Sequence, residues 1–189
     1  MPIAVTTQLY TIIPYGVAFI NLLVVTRLVD IFGKRAVPLL ILVSIAIVGF
    51  ILLMSTTNKI ALVFAATLIN VTVYPSVVIC AAWIPSSNAG YTKRFITAGM
   101  MQVFMQLFSI ISTQIYTTPP RFLKGHGVGL AFLVICFCMI LVMVYLMKKS
   151  NAAKDAEAAR WREMGEPNPD ESKSLEELCD AHPNYRYVW

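Results

Sequence analysis

The sequence predicts an all-α polytopic membrane protein with about five transmembrane helices. Three observations carry this. Of the 189 residues, 58% are hydrophobic and 13% are charged, against roughly 45–50% and about 25% in soluble domains. The charges fall in short clusters and leave uncharged runs at residues 1–26, 36–58, 60–92, 95–120 and 125–147. Each run can supply the ~20 apolar residues that cross the hydrocarbon of a bilayer. The runs also lack strict two-residue alternation. Only helices and closed barrels satisfy every backbone group in lipid, so helices remain. A soluble enzyme and a disordered chain do not fit this composition.

The first helix is expected over about residues 5–27 and holds Pro14 and Asn21. The second is expected over about 36–56, and the third, with Asn70 and Pro75, over about 60–83. The fourth, about 95–117, contains Gln102, Gln106 and Gln114, and the fifth spans about 127–147. Pro14 and Pro75 each remove a backbone donor and tend to kink a helix. In transporters such interrupted helices line substrate cavities; a static packing kink is the competing reading. Gln102, Gln106, Ser109 and Thr113 recur at helical spacing and form a polar stripe. That stripe could line an aqueous path or hold helices together by hydrogen bonds. Asn21 and Asn70 are further candidates for cavity-lining polar contacts. No Asp or Glu lies inside an expected span, so no proton-coupling carboxylate can be named.

The net charge of +5 divides unevenly. Residues 1–147 hold eight Lys/Arg and one acid, a net of +7, and residues 148–189 hold seven Lys/Arg and nine acids, a net of −2. The basic excess therefore sits in short membrane loops, where it signals topology, and nucleic acid is not an expected partner. One side carries Arg27, Lys34, Arg35, Lys93, Arg94, Lys148 and Lys149, and the other Lys59, Arg121 and Lys124. The richer side is expected in the cytosol, together with the C-terminal tail. No basic segment precedes the first apolar stretch, so no cleaved signal peptide is expected.

The smaller signals argue against enzymatic chemistry. Cys80, Cys136 and Cys138 lie in spans and Cys179 in the tail, where small apolar filler is the better reading. His126, in an outer loop, and His182, in the tail, join no ligand cluster, so neither a metal nor another cofactor is expected. Asn70-Val71-Thr72 has the glycosylation pattern but lies within a span. Gly125, Gly127 and Gly129 precede the last helix with no strand before them, and are expected to let the chain turn into the membrane.

Two stretches carry a family resemblance. Thr26-Arg27-Leu28-Val29-Asp30-Ile31-Phe32-Gly33-Lys34-Arg35 resembles the loop signature of the major facilitator superfamily through Asp30, Gly33, Lys34 and Arg35. Thr26 stands for its Gly, and Ile31 for its first Arg. Trp83-Ile84-Pro85-Ser86-Ser87-Asn88-Ala89-Gly90-Tyr91-Thr92-Lys93-Arg94 is similar to the connection before the eleventh helix in fungal permeases of the anion:cation symporter family. These are the allantoate, nicotinate, pantothenate and biotin permease relatives. Trp83, Asn88, Gly90, Thr92, Lys93 and Arg94 carry that likeness. Gln114-Ile115-Tyr116, Pro120-Arg121 and Gly125-His126 are similar to the family's following outer loop. Pro14-Tyr15 with Ala18 resembles its eighth helix, and Asn184-Tyr185-Arg186-Tyr187-Val188 its aromatic-Arg-Tyr close. The chain departs from the family in lacking a Gly-Asn pair near Gln106 and an acid before Pro119.

The resemblance implies helices eight to twelve of a twelve-helix fold, an incomplete C-terminal half of a major facilitator fold. It further implies a secondary active transporter fragment in the plasma membrane. A full-length form would move a small organic anion or vitamin-like substrate, with proton coupling. Its partners would be the lipid bilayer, that substrate, and the missing N-terminal half or another membrane protein. In that setting Asp30, with Lys34 and Arg35, would help latch the cytosolic side. The alternative is a non-transporting interaction or regulatory protein derived from a truncated permease.

The tail is expected to open with a short cytosolic helix over about 151–164, capped by Ser150 or Asn151 and supported by Glu157–Arg160 and Arg160–Glu163 pairs. Gly165 and Pro167 would end it. The acidic residues 166–181 read as a mobile, solvated segment, with a regulatory or trafficking role as the other possibility.

Overall fold

The computed structural model describes residues 2–116, 122–165 and 168–189; in the first helix its side-chain description covers Ile12 and residues 14 onward. Five long helices follow one another: α1 (Pro2–Phe32), α2 (Ala36–Ser55), α3 (Lys59–Ser86), α4 (Tyr91–Ile115) and α5 (Leu123–Met164). A 3₁₀ turn at Pro169–Ser172, the one-turn α6 (Leu175–Leu178) and a second 3₁₀ turn at Cys179–Ala181 complete the chain. Each of the five long helices contains a stretch long and apolar enough to cross a bilayer. The chain is thus an all-α polytopic membrane protein. The outer-loop residues Pro119, Pro120 and Arg121, with Glu166 and Pro167, lie outside the described residues.

Local chemistry sets the helix ends. Gly33 adopts φ 65° and its N–H returns to the Val29 carbonyl at 3.0 Å, a left-handed stop after α1 that favours glycine. Asn58 caps α3, its side chain accepting from Ile60 N at 3.0 Å. Gly90, at φ 85°, opens α4. Helix α1 runs on through Pro14, and α3 through Pro75 and Pro85.

Helix α3 is the centre of the bundle and packs on both α1 and α2; α2 in turn packs on α5. The core joins Val29 of α1 and Ala36, Leu39, Leu42 and Val43 of α2 to Ile79 and Trp83 of α3 and Ile140 and Met147 of α5. Small residues bring α2 and α3 together: Ala46 and Ala65 are buried, and a Cβ on Gly49 would stand 2.9 Å from Ile69 Cγ1. Gly125 and Gly129, expected to turn the chain, instead lie within α5 and pack against Tyr116 and Phe50. Helix α4 differs from the rest: it rests on α3 and α5 along a thin seam and buries no residue.

The tail departs most from expectation. The helix expected over 151–164 is continuous with the fifth span, giving a single 42-residue helix that stops where Gly165 takes φ 70°. Ser150 and Asn151 therefore cap nothing. Asn151 instead spends its amide on Tyr187, donating to its carbonyl and accepting from its N–H, both at 2.9 Å. Good helix formers on either side let the helix continue. The expected Glu157–Arg160 and Arg160–Glu163 pairs are not among the ion pairs of the described residues, which are Lys93–Asp180, Lys173–Asp170 and Arg186–Asp155. Residues 168–181 are largely exposed, as expected of a solvated tail, but they are not structureless: they form three single turns, and Glu176 and Asp180 reach the connection between α3 and α4.

Candidate functional site

The polar residues of the spans do not converge on one point. Asn21 is half-buried on α1, and its Nδ2 donates to the Val71 carbonyl of α3 at 2.7 Å. Val71 lies four residues before Pro75, which has no N–H to give that carbonyl. Asn21 thus fills a vacancy that Pro75 creates, and Pro75 itself is fully buried. Around it, Thr72 Oγ1 donates to the carbonyls of Leu68 and Ile69, both at 3.0 Å, and Ser76 Oγ to that of Thr72 at 2.7 Å. Asn70 is half-buried on the same helix, and Pro14 is buried on α1. Gln102 and Gln106 lie apart from this group, exposed on α4 with Ser109 and Thr113.

The basic residues do gather. At one end of the bundle, Arg35 Nη1 donates to the Ala82 carbonyl at 3.1 Å and to Ser86 Oγ, fastening the start of α2 to the end of α3. Lys34 and Lys148 approach the Trp189 ring, 5.5 Å and 4.1 Å from its centroid, within cation–π reach. Asp30 is exposed in the last turn of α1 and forms no ion pair among the described residues. Of that loop motif, Arg35 and Lys34 make contacts, and Gly33 shapes the turn.

The motif before α4 receives the tail. Trp83 is buried, and its Nε1 donates to the Val188 carbonyl at 2.9 Å. Asn88 Nδ2 donates to the Ile84 carbonyl at 2.9 Å, rounding off α3. Asp180 accepts from Ala89 N at 2.6 Å and pairs with Lys93; Glu176 accepts from Tyr91 N at 2.8 Å. These are amides at the start of a helix, which lack intrahelical partners and favour a negative charge nearby. At Gly90 a Cβ would sit 3.1 Å from Cys179 Sγ, so a larger residue would push the tail away. Thr92 and Arg94 are exposed beside this contact.

From the other side, Lys154 of α5 donates to the carbonyls of Asp180, His182 and Tyr185. Asp155 pairs with Arg186 at 2.9 Å. His182 is buried, with Nε2 on the Lys173 carbonyl at 3.2 Å and Nδ1 accepting from Asn184 N at 3.1 Å. Burial pushes the Tyr185 hydroxyl up to about 12, with the Asp180 charge adding to the effect.

Sequence reasoning did not single out Glu176, Asp180 or Lys154, and it read Asn151 only as a helix cap. One signal pointed to two of them: seven basic loop residues need acids, and the tail holds nearly all the acids of the chain.

No family model matches the chain, and no solved structure matches it. Curated relatives do. The chain is 32% identical over 109 residues to a high-affinity nicotinic acid transporter of Saccharomyces cerevisiae, covering 57% of this chain and 20% of that protein. It is 28% identical over 157 residues to an uncharacterised transporter of Schizosaccharomyces pombe, covering 82% of this chain and 32% of the relative. A major facilitator-type transporter of Emericella nidulans is 25% identical over 158 residues, 81% of this chain and 32% of the relative. The chain therefore spans a third or less of the length of these relatives. Five helices able to span a membrane and sequence similarity to fungal transporters together make this a multi-pass membrane protein of transporter-like, major facilitator-like sequence.

Proposed function

We propose that this chain supplies the C-terminal membrane helices of a secondary active transporter for a small organic anion, of the fungal anion:cation symporter type. The observation that carries the reading is the similarity to the nicotinic acid transporter, which favours a small aromatic or vitamin-like carboxylate as cargo. The exposed stripe of Gln102 and Gln106 on α4 supports it. A helix that buries nothing in its own bundle is free to face a cavity completed by further helices. In that arrangement the two amides donate to the carboxylate, and Asn70 and Asn21 contribute polar lining. Alternating access runs with proton coupling, in the plasma membrane, with the tail on the cytosolic side.

The test is uptake of radiolabelled nicotinate and related carboxylates by cells lacking their own uptake system. They would express the chain extended at its amino end by the complementary helices. Saturable uptake that collapses on adding a protonophore is expected. Gln102→Ala and Gln106→Ala should each lower it by about tenfold, as loss of a hydrogen bond to a charged group does. Uptake indifferent to both changes would sink the cavity assignment. No uptake at all, with stable expression and co-purification of another membrane protein, would instead favour a non-transporting interaction protein.

A further inference from the structure

We propose that residues 168–189 form a releasable strap and that the Asp180 carboxylate, not packing within the bundle, fixes the connection between α3 and α4. The proposal does not depend on the transport reading.

Two facts about α4 set the problem. It buries no residue, and it touches its neighbours only along a thin seam. In lipid, apolar side chains gain nothing by leaving one helix's surface for another's, so such a seam holds a helix weakly. Something else must place its first turn, and the tail does so. Asp180 makes three contacts to two parts of the chain: Oδ1 to Ala89 N and Oδ2 to Lys93 Nζ around the start of α4, and its carbonyl to Lys154 Nζ of α5. It thereby joins the start of α4 to the membrane-distal stretch of α5. Glu176 on Tyr91 N and Trp83 on Val188 O lie on either side of this junction.

The same contacts make the strap separable from the bundle. They are hydrogen bonds and one ion pair, and a second ion pair, Asp155–Arg186, ties the strap to α5. The Lys93 side chain in the first pair is 45% exposed and that of Asp180 is 19% exposed. Salt and water weaken such pairs. The strap contributes two buried residues, Asn168 and His182, both polar, and its apolar hold on the core is limited to the partly buried Tyr187 and Trp189 at its end. Its regular structure is confined to single turns, whose backbone does not hold itself together. Removing the charge at Asp180 therefore removes the junction and leaves the α1–α2–α3–α5 core intact.

The experiment uses the full chain in nanodiscs of zwitterionic lipid and compares it with Asp180→Asn and Lys93→Gln. Amide exchange is followed by mass spectrometry over residues 88–95 and 60–72. Labelling of Cys179 by a water-soluble maleimide is followed in parallel, since its thiol lies against Gly90 when the strap is docked. Asp180→Asn should raise exchange over 88–95 and the labelling rate of Cys179 by about tenfold, with 60–72 unchanged. Lys93→Gln should act in the same direction to a smaller degree, and added salt should diminish the difference between it and the parent chain. Exchange over 88–95 within twofold of the parent for Asp180→Asn would overturn the proposal. Equal loosening of 60–72 would overturn it too, because strap and core would then be one cooperative unit.

Discussion

The side-chain amide of Asn21 on α1 takes up the Val71 carbonyl that Pro75 leaves without an intrahelical partner, 2.7 Å away. A break in one helix is thus repaired by another, and the repair ties α1 to α3 at the level of the proline. Asn21→Leu should cost about 1–2 kcal/mol, the worth of an interhelical hydrogen bond in a membrane bundle. Pro75→Ala should offset that loss, because an alanine N–H can reach Val71 itself. Unfolding midpoints of the parent, the two single variants and the double variant in mixed micelles form the cycle that measures this. Additive effects would show that the two residues are not coupled.

The close approach of α2 and α3 rests on Gly49. A methyl group there would meet Ile69 Cγ1 at 2.9 Å and the Ala65 carbonyl at 3.5 Å. Gly49→Ala should therefore destabilise by about 1–3 kcal/mol, as overpacking does. Gly99→Ala, where no heavy atom lies within 4 Å, should be neutral. Thermal denaturation in detergent of the two variants side by side decides the point. Equal midpoints would mean that α2 and α3 can part without cost.

Trp83 is held by its ring in the core and by its indole N–H on the tail. Trp83→Phe keeps the first and removes the second. The core should stay folded while the tail loosens by about 1 kcal/mol, roughly a fivefold rise in its cleavage by protease. Mapping the first cut site checks this; a first cut inside the helical bundle would contradict it.

Tyr185 gives the strap a dependence on alkaline pH. Its hydroxyl titrates near 10 in the free chain and is pushed up to about 12 when docked, so the docked state holds the proton more firmly. The stabilisation is complete below pH 10 and declines as pH rises from about 10 to about 12. Tyr185→Phe should remove that slope. Cys179 labelling rates across this range, corrected with a free-thiol standard, supply the measurement. An identical slope in the variant would assign the effect elsewhere.

The five spans were legible because lipid imposes a simple rule: about twenty apolar residues without charge. The ends were less so. Phe32 and Ser86 extend α1 and α3 past their last expected residues, since helices continue until a residue such as Gly33 stops them. The motif from Trp83 to Arg94 could be picked out, but its role could not. Lys93 reads as a loop residue and Trp83 as the end of a span until Asp180 and Val188, 87 and 105 positions later in the chain, are brought beside them. Asn21 raised the same difficulty. In sequence it is a polar group in a span; only contact with α3 shows the carbonyl that it serves. The tail's turns and contacts were not legible because acidic composition signals a mobile chain when no partner is in view.

Helix α5 runs unbroken for 42 residues, about 63 Å at 1.5 Å per residue. That is about twice the hydrocarbon thickness. It acts as a lever arm. Its last seventeen residues reach roughly 25 Å past Met147, so a tilt of about 10° within the membrane swings Met164 by some 4 Å. Lys154 and Asp155 ride on that arm and pull on Asp180 and Arg186. A tilt of α5 in the bilayer would thereby reach the start of α4 through the contacts of Asp180.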